Sequence, residues 1–186
     1  MQLLSLDFET HAIENRPLYP PIPVGLSIHP EGEPGHYYAF GHPTGNNSDQ
    51  DTPRLMVEMY LTDPDFADYE FVFHNAPFDC SSIEERWGIP VPWGRVHDTM
   101  LMAFLDNPHG ELSLKPLAEL HLGEPPSERD AVRDWLAARG HGGKNWGAYI
   151  SKAPGDLVGT YAIGDTKRTL ELYRFYETKL KARGML

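Results

Sequence analysis

The amino-acid sequence predicts a mixed α/β fold, with strands first and helices after. Up to Asp98 the apolar residues come in short runs bounded by proline, glycine and polar turns, as strands do. Beyond Asp98 they recur three and four apart instead, which is the helical period. Between the early strands, one stretch with the helical pattern supplies a crossover.

Residues 2–7 (QLLSLD) read as a short buried strand. Residues 16–23 (RPLYPPIP) form an irregular loop, because proline lacks the amide donor that regular structure needs. Residues 24–29 (VGLSIH) alternate as a half-buried strand does, 32–35 (GEPG) make a turn, and 36–40 (HYYAF) form the next strand of an antiparallel meander. After the loop composition of 41–52, Leu55, Met56, Val57, Met59, Tyr60 and Leu61 build a helical stripe. Residues 69–75 (YEFVFHN) return to a buried strand, a helical pattern runs on through Trp87, and 95–99 (RVHDT) form a short strand. Three helical segments follow (TMLMAFL, SLKPLAELHL and ERDAVRDWLAAR), then a break at 141–147 and a long helix from about Pro154 to Ala182, with Pro154 suited to its first turn. With no linker, repeat or low-complexity tract, residues 1–186 are expected to form one domain.

Bulk properties narrow the function. Hydrophobic residues at 40% and charged residues at 23% are ordinary for a globular chain and allow a sizeable core. No apolar run approaches the ~18–20 residues that span a bilayer, so no membrane partner is expected. The N-terminus has no basic start and meets acid at Asp7, which suits a strand and not a signal peptide. One cysteine, Cys80, cannot pair within the chain, which points to the cytosol, or a host's cytosol for a viral protein. The net charge of −11 argues against a protein that coats duplexes, since phosphate neutralisation dominates such binding. It leaves room for a nuclease whose positive charge comes from divalent metal.

Three acidic motifs stand at the ends of expected elements. In Asp7-Phe8-Glu9-Thr10, strand alternation points Asp7 and Glu9 the same way and Phe8 into the core. Side-by-side carboxylates repel unless cations or protons intervene. His74-Asn75-Ala76-Pro77-Phe78-Asp79 follows a strand and opens a helix; Asn75 suits a cap, Pro77 the first turn, and Asp79 the helix N-terminus. In Tyr161-Ala162-Ile163-Gly164-Asp165, a phenol and a carboxylate four residues apart share one helical face. Gly164, a poor helix former, is expected to let the helix pass close to the strand carrying Asp7. Asp7, Glu9, Asp79 and Asp165 are hard oxygen donors that suit Mg2+ or Mn2+. Two such ions can stabilise both the attacking and the leaving oxygen of a phosphodiester.

The ordered set resembles the DEDD 3′→5′ exonuclease superfamily, in the subgroup that carries tyrosine. The likeness covers nearly the whole chain and extends to Asp98-Thr99-Met100-Leu101 and Ser113-Leu114-Lys115-Pro116-Leu117-Ala118, a pairing similar to proofreading domains of family A DNA polymerases. The resemblance implies a ribonuclease H-like α/β fold, a mixed sheet of antiparallel meander plus parallel strands flanked by helices. It implies two divalent cations, with Asp7, Glu9 and Asp165 holding the catalytic one, Asp7 bridging to the second, and Asp79 supporting that second ion through water. Tyr161 would orient the attacking water. Thr10, Ile13, His74, Asn75 and Phe78 would line the terminal nucleotide, and the products would be nucleoside 5′-monophosphates. The substrate expected is the 3′ end of single-stranded or frayed DNA, with RNA as the close rival. Where polymerases continue, this chain stops, so it is expected to act freestanding or as a subunit beside a DNA polymerase. Residues 123–152 match the family poorly.

Other features receive plainer readings. Nine histidines show no ligand spacing, and His109, His121 and His141 are expected at the surface or in caps. Arg129, Arg133 and Arg139 interleave with Glu128, Asp130 and Asp134 as a solvated face. Lys144, Asn145 and Trp146 sit in a glycine-rich loop, where Trp146 is expected to pack more than to stack on a base. Cys80 is expected to be a small buried residue. Two rival classes remain: a non-catalytic end-binding or polymerase-docking module, and an endonuclease, which unlike an exonuclease would cut a circular single strand.

Overall fold

In the computed structural model the described residues are 1–125 and 127–186, with 127 and 128 as backbone only. The side chain of Glu128, part of the expected charged face, therefore lies outside the described residues. Five strands form one sheet: β1 (Gln2–Thr10), β2 (Pro23–Pro30), β3 (His36–Ala39), β4 (Tyr69–Phe73) and β5 (Val96–Asp98), in the order β3-β2-β1-β4-β5. β1 pairs antiparallel with β2, and β2 with β3; β4 pairs parallel with β1 and with β5. The expected meander and added parallel strands are thus both present.

β1 runs three residues beyond the expected 2–7 because its pairing continues through Glu9↔Gly25 and, after a register shift, Thr10↔Pro23. The extension carries the second acid on the strand itself. Alternation then divides the faces. Leu4, Leu6 and Phe8 join Leu26, Phe71 and Phe73 on one side, under α1 (Asp51–Thr62) and α2 (Ala76–Ser81), with Phe8 edge-on to Trp87 at 4.8 Å. A π-helical turn at Ser82–Arg86 continues α2 to that tryptophan.

On the other side, Leu3 and Val72 pack beneath α3 (Thr99–Asp106), α4 (Leu114–Leu122) and α6 (Gly155–Ala182). A third cluster joins Tyr37 and Ala39 to α5 (Ser127–Ala137) and to Ile150, Val158 and Ala162. Pro154 is the N-cap of α6 and not part of its first turn, since its backbone is extended (ψ 141°). Close approach of α6 to β3 is documented at Gly155 and Gly159, where an added Cβ would meet Ala39 at 2.6 Å and Tyr37 at 3.1 Å. On the facing β2, the Ser27 and Thr166 hydroxyls hydrogen-bond at 2.9 Å. Ser27 pairs with Asp7 in the sheet and Thr166 follows Asp165, so this buried bond pins helix to strand at the acids.

The loop after β1 is tied down at its far side. The Arg86 guanidinium donates to the carbonyls of Leu18 and Pro20, and Arg16 pairs with Glu85 at 2.9 Å. Arg129 and Arg133 pair with Asp130 on the outer face of α5, as the interleaved charges predicted. His121, in the last turn of α4, and His141, whose amide closes the end of α5 on the Leu136 carbonyl at 2.9 Å, keep the surface-or-cap reading, and each also stacks on a ring, Phe175 at 4.5 Å and Tyr149 at 4.6 Å. Cys80 is fully buried, as expected.

Candidate active site

Asp7 and Glu9 face α6 from neighbouring same-side positions of β1, and Asp165 meets them from the helix. One carboxylate oxygen from each lies within 4.8 Å of the others. Glu9 and Asp165 are buried and Asp7 is half-buried. Asp79 is outside that trio. It is buried on α2, and its Oδ1 accepts the Phe8 amide at 2.9 Å, directly between Asp7 and Glu9 in the chain.

So many acids in little water are costly to ionise. Burial raises the Asp7 carboxyl to about 7, Asp165 adds to the rise, and Lys115 opposes it. Burial, then Asp7 and Asp165, push Glu9 well above the usual range, and burial and Asp7 do the same to Asp79. Two cations answer them. The Lys115 ammonium lies 2.5 Å from Asp165 Oδ2, and the buried Arg168 guanidinium lies 3.6 Å from Oδ1. Among the described residues, four carboxyls face two cations, a balance that protons or divalent ions can complete. Buried hard oxygens grouped this closely fit Mg2+ or Mn2+.

Tyr161 lies one helical turn before Asp165 and is hydrogen-bonded to it; burial, then Asp165, hold its phenol far above its usual titration range, so it stays a proton donor. Lys115 lies over its ring at 4.1 Å, and Trp146 packs edge-on against it at 6.0 Å. Trp146 therefore takes the packing role expected of it. It also gives residues 123–152 a place: the 3-10 turn Trp146–Lys152 buttresses the tyrosine.

The same turn walls a cavity of about 300 Å3 beside Glu9, where Thr10, Ile13 and Phe78 face Gly147 and Ala148. Ile13 is 65% exposed and so is open to a ligand. His74 and Asn75 are not among the cavity's lining residues; they occupy the turn between β4 and α2. Asn75 stands at the N-cap position but does not cap, because its backbone is left-handed (φ 71°) and its side chain makes no cap hydrogen bond.

Asp98 does the holding there. Its carboxylate accepts the Asn75 and Ala76 amides at 3.0 Å each, and the Met100 amide at 2.9 Å as the N-cap of α3. The Thr99 hydroxyl donates to the Phe73 carbonyl at 3.1 Å, so the His74 Nδ1 donates to Thr99 at 2.8 Å, and burial keeps that ring neutral. Asp98→Ala is expected to cost about 2–4 kcal/mol, a cap plus amides left unpaired. Thermal unfolding should show it as a melting temperature lower by roughly 4–15 °C; an unchanged value would remove Asp98 from this role.

The sequence motifs thus converge on Asp7, Glu9, Asp165, Tyr161 and the adjacent Asp79. Sequence reasoning missed Arg168, the Ser27–Thr166 pin, the Asp98 clamp and the charge of Lys115. A signal existed for two of them: Asp98 and Lys115 both lie in stretches whose family likeness was visible.

Comparison with known proteins bears on the family and the fold. Residues 1–181 match the 3′-5′ exonuclease family of the polymerase A type. The DNA polymerase of Escherichia phage T5 is 30% identical over 124 residues, 63% of this chain and 14% of that protein, so the chain spans a small part of its relative's length. Among solved structures, Brucella melitensis NrnC with bound Mg2+ superposes with a TM-score of 0.63 at 16% identity, over 98% of this chain and 75% of that one. Trypanosoma brucei RNase D in complex with RNA U12 gives 0.64 at 14%, over 94% and 55%. Escherichia coli RNase D, an exoribonuclease, gives 0.60 at 18%, over 99% and 41%. These likenesses show a shared fold, and with the match across residues 1–181 they establish that the chain belongs to the 3′-5′ exonuclease family.

Proposed function

We propose that the chain hydrolyses the last phosphodiester bond at the 3′ end of single-stranded or frayed DNA, releasing one nucleoside 5′-monophosphate at a time with two divalent cations, Mg2+ or Mn2+. The observation that carries this reading is the position of Glu9, which belongs both to the acid trio and to the wall of the 300 Å3 cavity. That volume is at the small end of the ~300–1,000 Å3 usual for ligand cavities, which suits one nucleotide. A nucleotide seated against Thr10, Ile13 and Phe78 has its linking phosphate beside the acids. His74 and Asn75 complete the sugar side from the neighbouring turn.

Asp7, Glu9 and Asp165 would hold the ions, and Asp79, buried next to them, would support the second. Bound divalent ions supply a hydroxide-like nucleophile at neutral pH and charge for the leaving oxygen. Tyr161, kept protonated with its hydroxyl proton on Asp165, presents its phenol oxygen to accept a hydrogen bond from the attacking water and orient it. Tyr161→Phe is expected to lower kcat about 10–100-fold, as loss of one positioning contact does, with Mn2+ affinity unchanged. Single-turnover rates beside calorimetric Mn2+ titration check this; an unaltered rate would refute the role.

Support for DNA comes from the phage polymerase likeness. The acidic surface favours an enzyme to which a partner such as a DNA polymerase delivers the end. RNA is the second reading, favoured by the likeness to a fold solved with RNA. The fully buried Cys80 thiol suits a cytosolic setting. The test incubates 5′-labelled DNA and RNA of matched sequence with Mg2+, Mn2+ or EDTA. A metal-dependent ladder shortening from the 3′ end of DNA supports the reading, and a ladder on RNA alone replaces the substrate. Binding without cleavage under every metal would leave an end-binding module.

A further inference from the structure

Lys115 lies on the first turn of α4 with its side chain 11% exposed, and its ammonium is held among the acids at 2.5 Å from Asp165 Oδ2. The same charge is felt by Asp7 and Glu9, and the ammonium lies 4.1 Å from the Tyr161 ring. One ammonium therefore faces the full set of groups that would hold a divalent ion. The two kinds of cation cannot share that centre. An ammonium keeps carboxylate oxygens at about 2.7–2.9 Å, whereas Mg2+ draws its six ligands in to about 2.0–2.1 Å.

The second cation differs in kind. Arg168 is on the same helix as Asp165, three residues on, and its side chain is 5% exposed, so it is fixed beneath the acid. Lys115 comes from a different helix on a flexible four-carbon stem, behind the exposed Ser113. It is the cation able to withdraw. Once withdrawn it needs a partner, since an unpaired ammonium out of water is costly. On the nuclease reading, the anion that a substrate would bring to these acids is its terminal phosphodiester.

We propose that Lys115 is an exchangeable counter-ion: it neutralises Asp165 while the site lacks metal, yields that place when divalent ions bind, and then grips the phosphate of the nucleotide to be removed. The proposal rests on the nuclease reading above, and its test separates the two.

Mn2+ binding is measured by calorimetry at pH 8.5 on the full chain, for wild type, Lys115→Met and Lys115→Arg, with folding checked by circular dichroism. Removing the competitor in Lys115→Met should tighten Mn2+ binding about tenfold. Lys115→Arg, whose planar fork holds carboxylate bidentately, should weaken it, and it keeps the test decisive if the methionine variant does not fold. Binding of a single-stranded DNA oligonucleotide, with Ca2+ to prevent turnover, is then followed against salt. Loss of one phosphate contact in Lys115→Met should flatten the log–log slope by roughly 0.7.

Mn2+ affinity that is unchanged in both variants, with normal wild-type binding, overturns the exchange and leaves the nuclease reading standing. An unchanged salt slope overturns the phosphate grip. A wild type that binds no Mn2+ at all overturns both proposals.

Discussion

Asp7→Asn is expected to lower the exonuclease rate by at least about 10³-fold, since the proposed role of Asp7 as a direct metal ligand supplies several kcal/mol of transition-state stabilisation. In EDTA at pH 8, where Asp7 is ionised, the same variant should be more stable than wild type. Asp7 sits beside Glu9, Asp165 and Asp79 in a site that raises its carboxyl to about 7, so its charge opposes folding when no divalent ion is present. Replacing it with a neutral isostere removes an unfavourable buried charge, worth about 1–3 kcal/mol and roughly 2–8 °C in melting temperature. Asp165→Asn should be equally inactive but less stable, because Lys115 and Arg168 both lean on that carboxylate. Opposite shifts in melting temperature with a common loss of activity would separate the two acids. Full activity in either variant would remove it from the catalytic set.

The second large effect is on pH. An unfolded aspartate titrates near 4, whereas Asp7 in the metal-free fold titrates at about 7. Between those values the folded chain keeps a proton that the unfolded chain has released. The contribution to stability is fully present below about 4 and is lost as pH rises through 7. In EDTA the melting temperature should therefore fall from pH 5 to pH 8, and Mn2+ should abolish the fall by taking the proton's place. Activity runs the other way, because the acids must be deprotonated to hold metal. With metal below saturation, the rate should climb by about 100-fold or more from pH 5 to pH 7, the more steeply because Glu9 is raised as well. Raising Mn2+ should move the profile to lower pH. Rates measured at two Mn2+ concentrations check both; a profile that is flat between pH 5 and 7 would show that these carboxyls do not control the reaction.

Both predictions concern residues that were legible in the sequence. Asp7 and Glu9 could be placed on one face because a strand alternates, and Tyr161 and Asp165 on one face because a helix repeats. Such periodicities are local, so a linear string carries them. The meander, the crossover helix and the long final helix were legible for the same reason. Where the local reading went astray, a distant group had intervened. Asn75 looked like a helix cap, yet Asp98, over twenty positions away, holds the turn's amides and leaves Asn75 left-handed. The first strand ran past its apolar run because β2 continued to pair with it.

By itself, then, the sequence determined the element types, the family and the acids that come together in the candidate site, because short-range periodicity and ordered motifs encode them. The tertiary structure alone decided what surrounds those acids. It brought Lys115 and Arg168 against Asp165, joined Ser27 to Thr166, set Trp146 against Tyr161 and closed residues 147–148 over the cavity beside Glu9. Apart from the pairing within α6, these contacts join residues far apart in the chain, and they follow from how the helices pack on the sheet. The charge balance of a buried site depends on such neighbours, so the raised carboxyls could be read only once the chain was folded.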